Sequence, residues 1–483
     1  MHTSETLVPS ALGPARVTIR PFTAAAGRGA GGVLDLAIAG SVLALLIVLA
    51  GGVDLGWLSI TRASRSFLLL CVLVPIRLAW PGTAWANRVT RCRLFVARHS
   101  RLLHAPIPHA VRDVAFAFAV PRLGVIAVGF FVNLLFPPDG ERPWGLPFSK
   151  ATLVDTFAAF DSAWYFDIAA SGYSYSPTGE SRVAFFPLYP MAMRALAWPF
   201  GGSAEAIWAA GIVISNTASL IGLAVLYTLT LRMLGNREIA RRTVLYLSVF
   251  PFSFFLSRVY PSSLFLLLSV LSIRAAVGSR WGWAGLCGAL ATLTRPQGIL
   301  IVIPLVLMAL EGAGRGRRLV RLAPVPLAFI GFNVYIGFLA GEPLAWFASE
   351  EHWGYSLGHP PWEQLLTLFS AVERHGLYGY FQSSNLAAYQ LFHGVAAVFL
   401  LACVPAVFTR LGAPLGCYVL ASLLVPLSGN ALSGIGRYGT VLFPVFMMLA
   451  SLKSPRMHEV LLIVWSLFLA LFVGLFVTWR PIY

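Results

Sequence analysis

Apolar residues in this chain occur in long runs, broken by short basic turns and by a few long polar stretches. A hydrocarbon core about 30 Å thick takes roughly 17 to 25 apolar residues as a helix, and shorter runs suffice where a tight reversal follows. About thirteen such runs are present, at 33–53, 66–80, 114–136, 206–231, 243–257, 262–279, 281–294, 297–310, 322–340, 386–409, 413–428, 438–451 and 459–478. The pattern predicts an all-α polytopic membrane protein. Arg77 and Arg122 interrupt two of the runs.

Loop charge sets the expected orientation, because basic residues accumulate in cytoplasmic loops. With the amino terminus in the cytoplasm, and Arg274 counted at its helix end, that side carries 22 basic and 4 acidic residues, and the other side 11 and 13. Three segments are then distinguished: a polar cytoplasmic stretch over 1–32, two helices with a basic cytoplasmic segment over 33–112, and a membrane domain over 113–483. The six arginines between Arg88 and Arg112 accompany Leu94, Phe95 and Val96. That mixture fits a basic interfacial helix on anionic lipid. Two long loops, 137–205 and 341–385, fall on the extracytoplasmic side, and loops of that length tend to carry function.

Composition narrows the class. With 58% hydrophobic and 11% charged residues, the chain is neither a water-soluble globule nor intrinsically disordered. The net charge of +16 is explained by membrane orientation, with no need for nucleic acid. The five cysteines, Cys71, Cys92, Cys287, Cys403 and Cys417, form no CxxC pair and are read as packing residues.

Candidate chemistry lies in the polar minority. Phe160 to Tyr173 reads as a short amphipathic helix with Phe160, Trp164 and Ile168 on one face, Asp161 and Tyr165 beside them, and Gly172 at its end. Asp167 is about 240° round from Asp161, so the two do not form a pair on one face. An interfacial helix with an aromatic belt would show the same spacing. Ala184-Phe185-Phe186-Pro187-Leu188-Tyr189-Pro190 forms a rigid corner. Glu350, Glu351, His352 and Trp353 cluster in the second loop, and neither their spacing nor that of His359 and His375 matches a metal site. Arg258, Arg295 and Arg437 stand at extracytoplasmic helix ends, where arginine is costly unless it snorkels or pairs with an anion such as a lipid phosphate.

The run Phe160-Asp161-Ser162-Ala163-Trp164-Tyr165 through Gly172-Tyr173, followed by Ala184 to Pro190, resembles the PIG-V-like mannosyltransferases, relatives of the second mannosyltransferase of GPI-anchor assembly. Tyr260-Pro261-Ser262-Ser263-Leu264-Phe265, Thr294 to Gly298, His352-Trp353-Gly354, Arg437-Tyr438 and Phe443-Pro444 are similar in the same order. The likeness spans about residues 113 to 450. Phe160 stands where many members carry Trp, and residues 1–112 lie outside it. The resemblance implies a GT-C-type helical bundle whose two large extracytoplasmic loops hold short interfacial helices. It also implies a glycosyltransferase acting outside the cytoplasm on a polyprenyl-phosphate sugar, mannose by preference, with a lipid-linked glycan or other acceptor. The multi-pass protein would sit in a bacterial plasma membrane, or in the endoplasmic reticulum of a eukaryote.

The resemblance places the catalytic carboxylate in the first large loop, at Asp161. A carboxylate there suits removal of the acceptor hydroxyl proton through an oxocarbenium-like transition state. Arg437 and Arg295, then Arg258, are the expected donor-phosphate residues. Trp164, Tyr165, Glu351, His352 and Trp353 are expected at the sugar or acceptor. No cofactor and no metal site is called for, and divalent-metal dependence stays open. A transporter or flippase of lipid-linked sugars, or a non-catalytic subunit presenting an acceptor, are the competing classes.

Overall fold

The computed structural model describes residues 53–54, 59–60, 107–136, 156–311, 314–355, 359–384, 386–429, 432 and 434–482. The expected helix at 66–80, the basic interfacial segment before residue 107 and nearly all of the 33–53 run lie outside these residues. Val53–Asp54 and Ser59–Ile60 form a minimal antiparallel pair, β1 and β2. Everything else described is helix and turn.

The chain runs through α1 (Ile107–Leu135), α2 (Ser162–Ser171), α3 (Leu188–Ala197), α4 (Ala204–Leu234), α5 (Arg237–Val249), α6 (Ser262–Val277) and α7 (Trp281–Thr292). There follow α8 (Val302–Ala309), α9 (Arg315–Val320), α10 (Pro324–Ala340), α11 (Ala345–Glu350) and α12 (Glu363–Ser383). The last five are α13 (Ala387–Leu411), α14 (Ala413–Leu427), α15 (Ile435–Thr440), α16 (Phe443–Ala450) and α17 (Pro455–Val477). Five helical segments, 109–135, 204–234, 315–340, 387–411 and 455–477, are long and apolar enough to cross a membrane. Shorter apolar helices lie at 262–277, 296–309 and 413–427.

Local chemistry explains the boundaries. Ser203 caps α4 by accepting from the Ala206 amide, and Gly235 ends it in the left-handed conformation. Asn236 then caps α5 through the Ile239 amide, which produces a one-turn reversal. That reversal is locked to α1: Arg237 donates twice to Asp113, at 3.0 and 3.1 Å, and the Tyr227 hydroxyl donates to the same carboxylate at 3.1 Å.

Two expected single helices are broken. The 243–257 run ends its α-helix at Val249, because Phe250 precedes Pro251 and adopts an extended ψ of 137°. Residues 438–451 divide into α15 and α16, with Leu442 non-helical just before the Phe443–Pro444 start of the second helix. The second expected loop contains a 21-residue helix, α12, kinked where Gly376 takes φ 64°.

The core is aromatic where these pieces converge. Phe252 packs on Phe472, and Phe254 and Phe255 pack on Phe476, so the segment after α5 is clamped against α17. Gly436 is required at this point: a Cβ there would stand 2.3 Å from the Phe252 ring. Gly436→Ala should cost roughly 1 to 3 kcal/mol through overpacking, measurable as a lowered thermal midpoint of the purified protein.

Candidate active site

Asp161 sits on a turn that the rest of the chain holds in place. The Val259 amide donates to the Phe157 carbonyl at 2.9 Å, and the Tyr260 hydroxyl donates to the Ala159 carbonyl at 3.1 Å. Phe160 takes φ 52°, a left-handed conformation that bulky residues rarely adopt and that costs on the order of 1 kcal/mol or more. Asp161 occupies the N-cap of α2. An N-cap aspartate ordinarily accepts from an amide of the first turn, yet this side chain makes no such bond. Its carboxylate is directed across the site to Arg437.

The Arg437 Nη1 donates to Asp161 Oδ2 at 2.5 Å, joining positions 276 residues apart. The side chains are 11% and 21% exposed, so the pair is largely removed from water while remaining open to it. The guanidinium lies over the rings of Phe255, Tyr260 and Tyr438. Arg295 packs on another approach to the Tyr438 ring, at 5.6 Å, and donates to Ser262 Oγ at 3.3 Å. Its placement follows from Pro296: the residue before a proline is driven to extended geometry, and Arg295 has φ −158° and ψ 149°. Tyr438 thus carries two arginines, and Asp161 answers only one of them.

Other expected residues divide. Tyr165 is buried against Phe185, Tyr189 and Tyr260 and forms the wall of the site, with its phenol pushed up by burial and then by the Asp161 charge. Trp164 stacks on Phe185. Glu351 and His352 are exposed in the 3-10 turn Glu351–Trp353, where Trp353 closes the turn. Arg258 is set apart: its guanidinium is fully buried, donates to Thr156 and lies over Phe157 and Phe476. Asp167 pairs with Arg182 at 3.5 Å, separate from Asp161. The Phe185–Pro190 corner is tied to the residues before Arg295, since the Leu188 amide donates to the Leu293 carbonyl at 2.9 Å.

Two acids complete the surroundings. Glu350, at the end of α11, has its carboxyl pushed up to about 7 by burial and by the Asp161 charge, with Arg437 opposing. Glu180 is raised in the same way, by burial and Asp161, while His352 counters it. Among the described residues, no group of three or more His, Cys, Asp or Glu side chains could hold a metal ion.

The sequence family follows from comparison. The family model described as Mannosyltransferase (PIG-V) matches residues 148–409, over half of the chain. The chain belongs to the PIG-V mannosyltransferase family. The family is described by its mannosyltransferase activity, and five helices among the described residues are long and apolar enough to cross a membrane. The matched region contains Asp161 and Arg295, whereas Arg437 lies beyond its end. No curated protein matches the chain. Among solved structures, the apo oligosaccharyltransferase of Archaeoglobus fulgidus is similar at 12% identity and TM-score 0.40, covering 75% of this chain and 56% of that one. Archaeal oligosaccharyltransferase AglB from the same organism, in complex with an inhibitory peptide and a dolichol-phosphate, is similar at 13% identity and TM-score 0.37, with the same coverage. The PIG-V family chain therefore spans little more than half the length of these structures.

Proposed function

We propose that this PIG-V family protein transfers mannose from a polyprenyl-phosphate donor to a lipid-linked glycan or other acceptor on the extracytoplasmic face of a bacterial plasma membrane. The observation that carries the reading is the Asp161–Arg437 pair, a carboxylate and a guanidinium brought together from distant motifs in a partly dry site, with Arg295 beside them. A site where two arginines share one ring and a single ion pair to Asp161 suits a substrate that brings its own negative charge.

In this mechanism the donor phosphate engages Arg437 and Arg295. Competition for Arg437 loosens its hold on Asp161 and frees the carboxylate oxygen for the acceptor when the donor arrives. The acceptor hydroxyl then attacks the sugar C1, its proton passes to Asp161, and the C1–O bond to phosphate breaks. The departing polyprenyl phosphate carries the electron pair, and the arginines stabilise its developing charge. Glu351, His352 and Trp353 receive the sugar or acceptor, and Trp164 and Tyr165 shape the wall. The proposed architecture is a GT-C-type bundle of about 13 transmembrane helices with a cytoplasmic amino terminus.

Reconstitution into vesicles with labelled polyprenyl-phosphate mannose separates transfer from transport. A new glycosidic bond supports transfer; movement of intact lipid-linked sugar across the bilayer without one establishes a flippase. Glu350 supplies a pH prediction. Its raised carboxyl is protonated below about pH 7 and ionises above it, adding negative charge beside Asp161 where the donor phosphate must bind. Donor kcat/KM should fall as pH rises through 7, and Glu350→Gln should flatten that limb. The native state holds this proton where the unfolded chain has lost it, so the group's contribution to stability declines as pH rises from about 4.5 to 7.

A further inference from the structure

Two arginines outside the proposed active site have no counter-charge among the described residues. Arg122 is 3% exposed and Arg258 is 0% exposed. Arg122 Nη2 donates to Ser219 Oγ at 2.5 Å, and Arg258 Nη1 donates to Thr156 Oγ1 at 3.5 Å. Nε and Nη1 of Arg122, with Nε and Nη2 of Arg258, are buried and find no hydrogen-bond partner. Arginine does not shed its proton in proteins, so both groups are cations in a poorly polarisable interior.

The two arginines meet one turn of α4, Arg122 through its head and Arg258 through the backbone just before it. Ser219, the partner of Arg122, lies three residues from Asn216, whose amide donates to the Ser257 carbonyl at 3.2 Å, immediately before Arg258. The Arg122 charge bears unfavourably on Arg258. Phe118, Phe157 and Phe476 face the guanidiniums, with ring centroids 5.4 to 5.6 Å from them, and their quadrupoles offset part of the cost only.

We propose that Arg122 and Arg258 bind a small monovalent inorganic anion of the halide class between α1, α4 and the segment after α5. Free N–H donors whose described neighbours are hydroxyls and aromatic rings suit a monatomic anion, which needs donors and little room. A lipid headgroup does not suit the place. Arg122 lies 15 residues into the 29-residue α1, about 22 Å from the start of the helix and about 20 Å from its end. The site also lies behind the Asp161 turn, because the residue after Arg258 holds Phe157 by a backbone hydrogen bond. The anion would therefore stiffen the support of that turn.

The test follows thermal unfolding of the purified full chain in sodium chloride or sodium bromide against sodium gluconate at equal ionic strength. The midpoint should rise saturably with halide, by about 2 to 4 °C, and stay flat in gluconate. Arg122→Met with Arg258→Met should remove the halide response. Should that variant fail to fold, bromide-soaked crystals of the unaltered protein replace it, with an anomalous peak expected between the two guanidiniums. Equal midpoints in halide and gluconate, a halide response that survives in the folded double variant, or no anomalous peak would overturn the proposal. None of these readouts depends on the proposed reaction.

Discussion

Asp161→Asn should lower kcat for sugar transfer by about 10² to 10⁴ while leaving the fold intact, the range expected when a positioned general base is lost. The substitution keeps the volume and one carbonyl oxygen, so Arg437 retains a hydrogen-bond acceptor and loses only its ion-pair partner. Arg437, 11% exposed, loses its counter-charge, so a lowered thermal midpoint accompanies the loss of kcat without loss of the folded state. Helical circular dichroism and elution volume should match the unaltered protein, with donor KM changed little. Activity within a few-fold of the unaltered protein would exclude Asp161 as the base.

Arg437→Met should reduce kcat by about 10² to 10³, the cost of removing one preorganised charge donor from a site where negative charge develops, and should also raise the donor KM. Arg437 holds Asp161 in the free enzyme and, in the proposed mechanism, the phosphate in the complex, so both kinetic constants register its loss. Arg437→Lys should recover part of the donor affinity and little of kcat. Lysine restores the charge, but not the planar guanidinium that packs on Phe255, Tyr260 and Tyr438. A change in neither constant would remove Arg437 from the phosphate site.

Although only five are long and apolar enough to cross a membrane, most of the described helices are legible in the sequence because apolar runs are local signals. The breaks at Pro251 and before Pro444 were not, since the runs remain apolar through both and length alone made each a single helix. The α12 stretch reads as loop in the sequence because its charged and polar residues break the apolar pattern. At the site, Asp161, Arg295 and Arg437 were each visible as polar residues in unusual places, whereas the pairing of two residues 276 positions apart was not. Neighbouring acids pose a finer problem. The sequence reading places Glu351 and not Glu350 at the sugar or acceptor, yet one step along a helix turns a side chain by about 100°. In the fold, Glu350 feels Asp161 and Arg437 while Glu351 is exposed. Arg258 looked like Arg295 in sequence, and the aromatic packing of Phe157 and Phe476 gave it a different environment. The positive φ of Phe160 had no signal, because the residue type does not favour it.

The central claim is sugar transfer from a polyprenyl-phosphate donor. Product analysis addresses it most directly: the purified protein is offered a panel of radiolabelled polyprenyl-phosphate sugars and, separately, nucleotide sugars, together with a membrane lipid extract as acceptor. The account predicts label in a new glycosidic product from polyprenyl-phosphate mannose and none from nucleotide sugars. Failure to use any polyprenyl-phosphate sugar, or transfer from a nucleotide sugar instead, would contradict it.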